Sequence, residues 1–179
     1  MLTIKSPAFF NGTKIPIKFT QYGHSISPAL EWTCDDSSVR EFALLCTDPD
    51  APTDKPVVHW LIYGIDANAR SLPENVPNEK ILNEPLWACQ GQNTKGKFGY
   101  MGPKPPKADR AHRYFFKLFG LDEPLGAAPG LTKEEFLEKA RDHIIAEAEM
   151  IGLYQYEGID LSPGLASKVG DFVHELTWR

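Results

Sequence analysis

Three short polar tracts hold the side chains of this sequence that could take part in chemistry. They are Asp48-Pro49-Asp50-Ala51-Pro52, the histidine His59 inside an apolar run, and Gly102-Pro103-Lys104-Pro105-Pro106 followed by His112-Arg113-Tyr114. An acid pair held by prolines, two histidines and a tyrosine hydroxyl could together line a small pocket for an anion or a head group. The sequence has no Gly-x-Ser-x-Gly elbow, no His-Glu-x-x-His pair and no complete phosphate-binding glycine-rich loop. The tracts therefore indicate binding before catalysis.

The acidic tract is predicted to form a stiff turn. Pro49 disfavours helical backbone at Asp48, and the two prolines of the tract fix φ and remove two backbone donors. Such a turn would present Asp48 or Asp50 in a set direction, with Pro52 shaping the turn. An ordinary strand-ending turn is the alternative, because Asp and Pro are favoured there for local reasons.

His59 lies in the apolar run 57–65, which has hydrophobic residues on both faces and is typical of a central strand. Strand alternation groups His59 with Val57 and Leu61. A buried histidine needs a hydrogen-bond partner, since an unpaired buried polar group costs about 1–3 kcal/mol. We expect Asp48 to be that partner if its strand lies alongside. A core histidine satisfied by one neighbour is the alternative.

In the third tract, alternation places His112 and Tyr114 on one side of a strand and Arg113 on the other. Arg113 is then expected to pair with an acidic side chain and brace the neighbouring loop. The preceding tract, from Gly102 to Pro106, is stiff and poor in donors, and it could form the wall of a shallow cavity. A surface loop with a chance histidine and tyrosine is the alternative.

Bulk composition is that of an ordinary globular protein. The chain has 179 residues, of which 42% are hydrophobic and 24% charged, and its length predicts a single domain over residues 1–179. A net charge of −5 argues against nucleic-acid binding, which needs a clustered basic surface. Basic residues do cluster near the third tract, where they form either a pocket rim or a solvated loop: Lys95, Lys97, Lys104, Lys107, Arg110 and Arg113.

Nothing in the sequence predicts export or a membrane span. The three cysteines, Cys34, Cys46 and Cys89, give neither a disulfide framework nor a paired metal-ligand spacing. The first residues lack a basic region followed by an apolar stretch, and no apolar run approaches the roughly 20 residues that cross a bilayer. We therefore expect a cytoplasmic protein without integral membrane association.

The predicted fold is mainly β, because short strand patterns separated by turn signals fill the first two thirds of the chain. The strands are expected at 14–20, 30–33, 40–47, 57–65 and 113–121. One helix is predicted after a capping box formed by Thr132 and Glu135, with an apolar face that runs as far as Ile151 and a stop at Gly152. The tail 158–179 is apolar enough to contain a short docked helix.

Taken in order, these tracts resemble the phosphatidylethanolamine-binding proteins, also called Raf kinase inhibitor-like proteins. The upstream tract Ser27-Pro28-x-Leu30-x-Trp32 matches as well, and the resemblance extends from about Ser6 to Tyr154. The segment Ala148-Glu149-x-x-Gly152-x-Tyr154 is similar to the bacterial and archaeal branch. Three features depart from the family pattern: Lys104 stands where a small residue or cysteine is frequent, Ser25 where asparagine is common, and the tail is longer.

The resemblance implies an antiparallel β-sandwich, with a large sheet packed on a smaller one and one or two peripheral helices. It also implies a pocket for phosphate, a phosphoethanolamine head group or a phosphorylated residue, with no cofactor, no metal and no catalytic residue. Asp50, Pro52 and Arg113 would shape the site. The ligand-binding residues that it implies are Asp48, His59, His112 and Tyr114, with Gly102 and Pro106 as wall.

Several functions follow from this site. The favoured one is a monomeric or homodimeric binding or regulatory protein whose partner is a phosphate-bearing small ligand or phosphorylated protein; the family name suggests a protein kinase or a protease. A phosphoester hydrolase using Asp48, His59 and His112, through metal or acid–base chemistry, is the alternative. A peripheral lipid carrier is a third reading. If the bound anion requires doubly protonated histidines, affinity falls as pH rises between about 6 and 8.

Overall fold

Two sheets of unequal size build the protein, which a computed structural model describes over residues 1–83 and 86–158. The smaller sheet has three strands and the larger has seven. A single turn of 3-10 helix covers Ile17–Phe19. The other elements are β1 (Leu2–Lys5), β2 (Thr13–Lys14), β3 (Leu30–Cys34), β4 (Glu41–Asp48), β5 (Val57–Asp66), β6 (Ser71–Leu72), β7 (Ile81–Leu82), β8 (Ala88–Gln90), β9 (His112–Leu121), α1 (Lys133–Ala140) and β10 (Ile144–Tyr154).

The larger sheet has the order β2-β10-β9-β4-β5-β8-β7, and the smaller has the order β1-β3-β6. All pairs are antiparallel except β10 with β2. The three long strands β9, β4 and β5 are therefore neighbours in the interior of the larger sheet. The start of β9, the end of β4 and the start of β5 lie at one edge of this sheet, and each carries one of the three polar tracts.

Apolar side chains cover both faces of the larger sheet, as the two-sided pattern of β5 predicted. On one face, Trp60 and Phe116 belong to a core shared with Trp32 of the smaller sheet. On the other face, Leu61 and Phe119 belong to a second core, which also includes the helix α1. Burial at roughly 25 cal/mol per Å² of apolar surface is the main stabilising term for such a three-layer arrangement. The predicted β-sandwich with a peripheral helix is confirmed.

A β-bulge at His59 changes the facing of the residues around it. Cys46 pairs with Trp60 and Thr47 with Val58, so His59 is an extra residue on β5. Val58 consequently lies in the helix-side core while Trp60 lies in the core between the sheets. The strict alternation that was assumed for residues 57–65 is therefore broken at His59. Bulges re-aim side chains in this way and are frequent near binding sites.

The prediction of a strand over 14–20 is wrong. The strand β2 ends at Lys14, and the 3-10 turn follows directly after Pro16, which has φ −57°. Proline has no N–H to donate to a ladder, so β2 does not continue beyond it. The chain instead turns toward the proline-rich tract from Gly102 to Pro106, where the Gln21 backbone N–H donates to the Pro103 carbonyl at 2.9 Å.

The helix prediction is correct only for its first half. Both bonds of the capping box between Thr132 and Glu135 are present, but α1 ends at Ala140. From Ile144 the side chains alternate between less and more exposed, and the segment forms β10 along β9. The apolar steps of three and four residues also contained a period of two through Ala146, Ala148 and Met150. Pairing with β9 selects the strand conformation, and therefore the period of two, for this segment.

The predicted docked helix in the tail 158–179 falls, apart from Gly158, outside the described residues. No helix within 1–83 and 86–158 is long and apolar enough to cross a membrane.

Candidate anion-binding site

A cavity of about 310 Å³ opens where the three polar tracts meet. Asp48, His59 and His112 line it, together with Pro52 of the acidic turn and Pro106 of the proline-rich wall. The topology accounts for this arrangement, because Asp48 ends β4, His59 lies near the start of β5 and His112 begins β9. The remaining lining residues are Gln21, Ala51, Thr53, Val57, Lys95, Met101, Lys104 and Pro105.

Asp48 is 3% exposed, and both oxygens of its carboxylate accept hydrogen bonds from other groups of the protein. Its Oδ1 accepts hydrogen bonds from the backbone N–H groups of Asp50 at 2.8 Å and Ala51 at 3.1 Å, which closes an Asx turn. Its Oδ2 accepts from Nδ1 of His112 at 2.8 Å. Asp48 therefore fixes both the acidic turn and the orientation of the His112 ring.

His112 is held between two carboxylates. Its Nδ1 donates to Asp48, and its Nε2 donates to Oδ2 of Asp109 at 3.0 Å. Ionised carboxylates only accept hydrogen bonds, so both bonds together require the doubly protonated ring. Burial opposes the charge, but the two carboxylates outweigh it and raise the pKa of His112.

His59 does not pair with Asp48, and that expectation is wrong. Its Nδ1 lies 2.6 Å from the carbonyl oxygen of Met101. A carbonyl can only accept, so Nδ1 carries the proton and Nε2 of the neutral ring is left as the acceptor nitrogen. Burial lowers the pKa of His59 despite the opposing influence of the Met101 carbonyl. The two histidines thus differ: the surroundings of His112 favour the charged ring, whereas those of His59 favour the neutral ring, which gains a second donor only when protonated.

Tyr114 lies beneath the two rings and is not among the cavity-lining residues. It is 1% exposed, with its ring centroid 5.1 Å from that of His59 and 6.5 Å from that of His112. Its hydroxyl forms no hydrogen bond of regular geometry with another described residue. Burial, and next the nearby charge of Asp48, raise the pKa of Tyr114. In this conformation Tyr114 supports the histidine rings from behind.

Gly102, which was predicted as part of the wall, is not among the cavity-lining residues, but it allows two chain segments to approach closely. A Cβ atom there would lie 2.5 Å from the carbonyl oxygen of Phe19. The Gly102 N–H donates to Oγ of Ser25 at 2.9 Å. Ser25 has φ 54°, a region that asparagine tolerates better than most residues, which accounts for the asparagine common at this position of the family pattern.

The acidic partner of Arg113 is Asp50. Two guanidinium bonds, from Nε and Nη2, each measure 2.9 Å, and the Arg113 backbone N–H donates to the same carboxylate at 2.9 Å. These contacts, first the side-chain bond from Arg113, lower the pKa of Asp50 to about 2. The pair fastens the acidic turn to the start of β9. It thereby holds Asp48 and His112 at a fixed separation.

This pair gives a prediction about stability and pH. Because folding lowers the pKa of Asp50, its stabilising contribution is present above the unfolded value of 3.8 and is lost as pH falls toward about 2. Arg113→Leu is expected to lower the free energy of unfolding near pH 7 by more than Arg110→Leu does, and to have much less effect near pH 2. Urea unfolding at both pH values measures this.

Arg110 provides the matched control, because it approaches the same carboxylate at 3.5 Å with a side chain that is 78% exposed. Arg110→Leu is expected to change stability by less than about 1 kcal/mol. Two results would show that the Arg113 guanidinium bonds to Asp50 do not stabilise the turn. One is an equal loss of unfolding free energy in the two variants, and the other is a loss in Arg113→Leu that persists in acid.

Two lysines of the predicted basic cluster, Lys95 and Lys104, line the cavity. Arg110 and Arg113 are instead engaged by Asp50, and Lys107 lies over the ring of Tyr156. Sequence reasoning missed Asp109, although its position three residues before His112 is the signal that could have found it. The cavity therefore combines two ammonium groups, one charged histidine and one neutral histidine.

This arrangement suits an anion that accepts hydrogen bonds. Lysines and protonated histidines form charge-assisted bonds to phosphate oxygens. Within 1–83 and 86–158, no three His, Cys, Asp or Glu side chains are grouped as metal ligands. The three residues named for the alternative hydrolase do line one cavity, but Asp48 has both carboxylate oxygens engaged by protein donors.

Comparison with known proteins agrees with the fold and the tracts. The phosphatidylethanolamine-binding protein family matches residues 5–155. A UPF0098 protein of Methanothermobacter thermautotrophicus is 42% identical over 154 residues, which cover 86% of this chain and 99% of that protein. A structure of a phosphatidylethanolamine-binding protein homologue from Chlamydia trachomatis has a TM-score of 0.78 and 35% identity, covering 87% of this chain and 98% of that one.

The structure of Escherichia coli YbcL, described as a member of the mammalian family, has a TM-score of 0.81 and 26% identity, over 87% of this chain and 99% of that one. The chain therefore belongs to the phosphatidylethanolamine-binding protein family, and the resemblance found in the tracts is confirmed. Its archaeal and bacterial relatives place it in the bacterial and archaeal branch. Membership supports a binding protein in general.

Proposed function

We propose that this protein is a non-enzymatic binding protein whose cavity takes a phosphate group, either free, in a phosphoethanolamine head group or on a phosphorylated residue. The single observation that carries the proposal is the cavity of about 310 Å³ lined by two histidines and two lysines. A phosphate monoester carries about −1.5 to −2 charges near pH 7, and these four groups can offset that charge.

Neighbouring charges define how the anion would sit. Asp48 repels an anion, but its charge is shared with the His112 ring and with two backbone N–H groups. His59 and Lys104 both line the cavity, one from the bulge of β5 and one from the proline-rich tract. The phosphate would therefore contact both residues and draw a proton onto Nε2 of His59.

The family name and fold support binding as the output, with regulation of a kinase or protease as one way to use it. The protein would act in the cytoplasm as a monomer or homodimer.

Hydrolysis, the alternative function, needs a group that activates water. Asp48 is unsuited to that role, because its oxygens already accept three hydrogen bonds.

Calorimetric titration with three small ligands tests the proposal. O-phosphoethanolamine and inorganic phosphate are expected to bind with similar affinity, while ethanolamine, which lacks the phosphate, is expected not to bind. Release of phosphate from O-phosphoethanolamine during the titration would favour the hydrolase instead. Binding of ethanolamine alone, or of none of the three, would contradict the proposal. Sedimentation with anionic vesicles but no binding of soluble phosphate would favour the lipid carrier.

A further inference from the structure

Asp109 is a residue of the site that none of the sequence tracts predicted. It accepts a hydrogen bond from Nε2 of His112, the ring nitrogen that does not contact Asp48. Its Oδ2 accepts from Nε2 of the ring at 3.0 Å, while its Oδ1 accepts from the Arg110 backbone N–H at 2.9 Å. The His112 side chain is 1% exposed and that of Asp109 is 35% exposed. One carboxylate on the ring is therefore buried and the other is reachable from solvent.

The two carboxylates of His112 are not equivalent. Removing Asp48 from the ring would break a buried pair and the turn that it closes. Asp109 belongs to a short exposed loop whose backbone is fixed independently, by its own N–H to the Pro106 carbonyl at 3.1 Å and by Nε2 of Gln155 to its carbonyl at 3.1 Å. The Asp109 side chain can therefore rotate away from His112 while the loop remains in place.

We propose that Asp109 is a specificity-determining residue of the anion pocket, because its carboxylate is an internal competitor that an incoming anion must displace from Nε2 of His112. This inference rests on the proposed function. Asp109 does not line the cavity, so its carboxylate gains nothing from Lys95, Lys104 or His59, which do. A phosphate held in the cavity can accept from Nε2 of His112, which also lines the cavity, and can contact those groups at the same time.

Because the Asp109 carboxylate is attached to the chain, only some anions can displace it from His112. A tethered group competes at an effective concentration of millimolar or more, so a monocarboxylate of equal charge gains nothing by replacing it. A phosphate carries roughly twice the charge of a carboxylate and also bonds to the lysines and to His59. The pocket of the native protein is therefore selective for phosphate over simple carboxylates.

Removing the Asp109 carboxylate should raise the affinity for phosphate and lower the selectivity for phosphate over acetate. Asp109→Ala is expected to bind inorganic phosphate roughly 10-fold more tightly than the native protein and to bind acetate, whereas the native protein is expected not to bind acetate. Asp109→Asn keeps an oxygen that can accept from Nε2 but loses the charge, so its affinities should lie between the two. Calorimetric titration of each protein with phosphate and with acetate gives these values.

Asp122→Ala is the matched control. Asp122 also pairs with a histidine, His143 at 3.0 Å, with both side chains partly exposed and neither lining the cavity. This variant should bind phosphate as the native protein does. An NMR signal of the His143 ring that matches the signal of the native protein would confirm that the two Asp109 variants are folded.

The possible results separate this inference from the proposed function. If the native protein and Asp109→Ala bind phosphate equally, the competitor role is overturned and the phosphate pocket stands. Weaker binding by Asp109→Ala would also overturn it, and would make Asp109 a positioning residue for His112. If none of the proteins binds phosphate or acetate, the proposed function fails and the inference fails with it.

Discussion

Asp48→Ala is expected to lower the free energy of unfolding by about 3–5 kcal/mol and to abolish phosphate binding, because it leaves the charged His112 ring buried beside an empty position. The same change removes the acceptor of two backbone N–H groups in the acidic turn. Asp48→Asn should be milder, with a loss of about 1–3 kcal/mol, since its amide oxygen can still accept from the turn. Urea unfolding and phosphate titration measure both effects.

Asp66 is the matched control for this prediction. It also ends a strand and also accepts a backbone N–H two residues later, from Asn68 at 2.7 Å, but it is exposed and has no histidine partner among the described residues. Asp66→Ala is expected to cost less than about 1 kcal/mol and to leave phosphate affinity unchanged. An Asp48→Ala protein as stable as Asp66→Ala would contradict the view that one carboxylate organises the site.

Sulfate affinity is expected to weaken by about 10-fold or more as pH rises from about 6 to 8. Sulfate serves as the probe because it stays doubly charged across this range. Burial keeps the pKa of His59 low in the free protein, whereas an anion at Nε2 would raise it, so binding takes up a proton. Affinity is then highest below the free pKa and is lost as pH rises through the bound pKa; deprotonation of His112 acts in the same direction.

His59→Asn tests which histidine is responsible. The asparagine amide nitrogen stands near the position of Nδ1 and can still donate to the Met101 carbonyl, but it does not titrate. The variant should bind sulfate more weakly near pH 6 and should show a smaller pH dependence. His24→Asn, which changes an exposed histidine outside the cavity lining, should behave as the native protein. Equal sulfate affinity of the native protein at both pH values would show that His59 takes up no proton.

The main features of the fold could be predicted because they depend on local chemistry. The two-sided apolar run of β5 predicted a central strand and the pattern at 113–121 predicted a second strand, and both strands are present. The segment Ile144–Tyr154 could not be assigned in the same way, because its apolar residues fit a helical and a strand period at once. The edge of β9 that decides between them is formed by residues more than 20 positions earlier in the chain.

The proximity of three candidate residues could be predicted from the sequence, whereas their hydrogen-bond partners could not. The tract types predicted that Asp48, His59 and His112 would be found together, and they line one cavity. The pairing of Asp48 with His112 instead of His59 depends on the bulge in β5 and on the approach of Met101, neither of which has a local signal. The position of Tyr114 behind the rings likewise follows from how β9 packs, and not from its alternation alone.

The most direct test of the phosphate pocket is a nitrogen-detected NMR titration of the histidine rings with O-phosphoethanolamine. We predict that His59 and His112 shift together and saturably, with Nε2 of His59 moving toward its protonated position. His24 and His143, which do not line the cavity, should remain unchanged. A titration in which His59 and His112 do not respond, or respond no more than His24 and His143, would contradict the account.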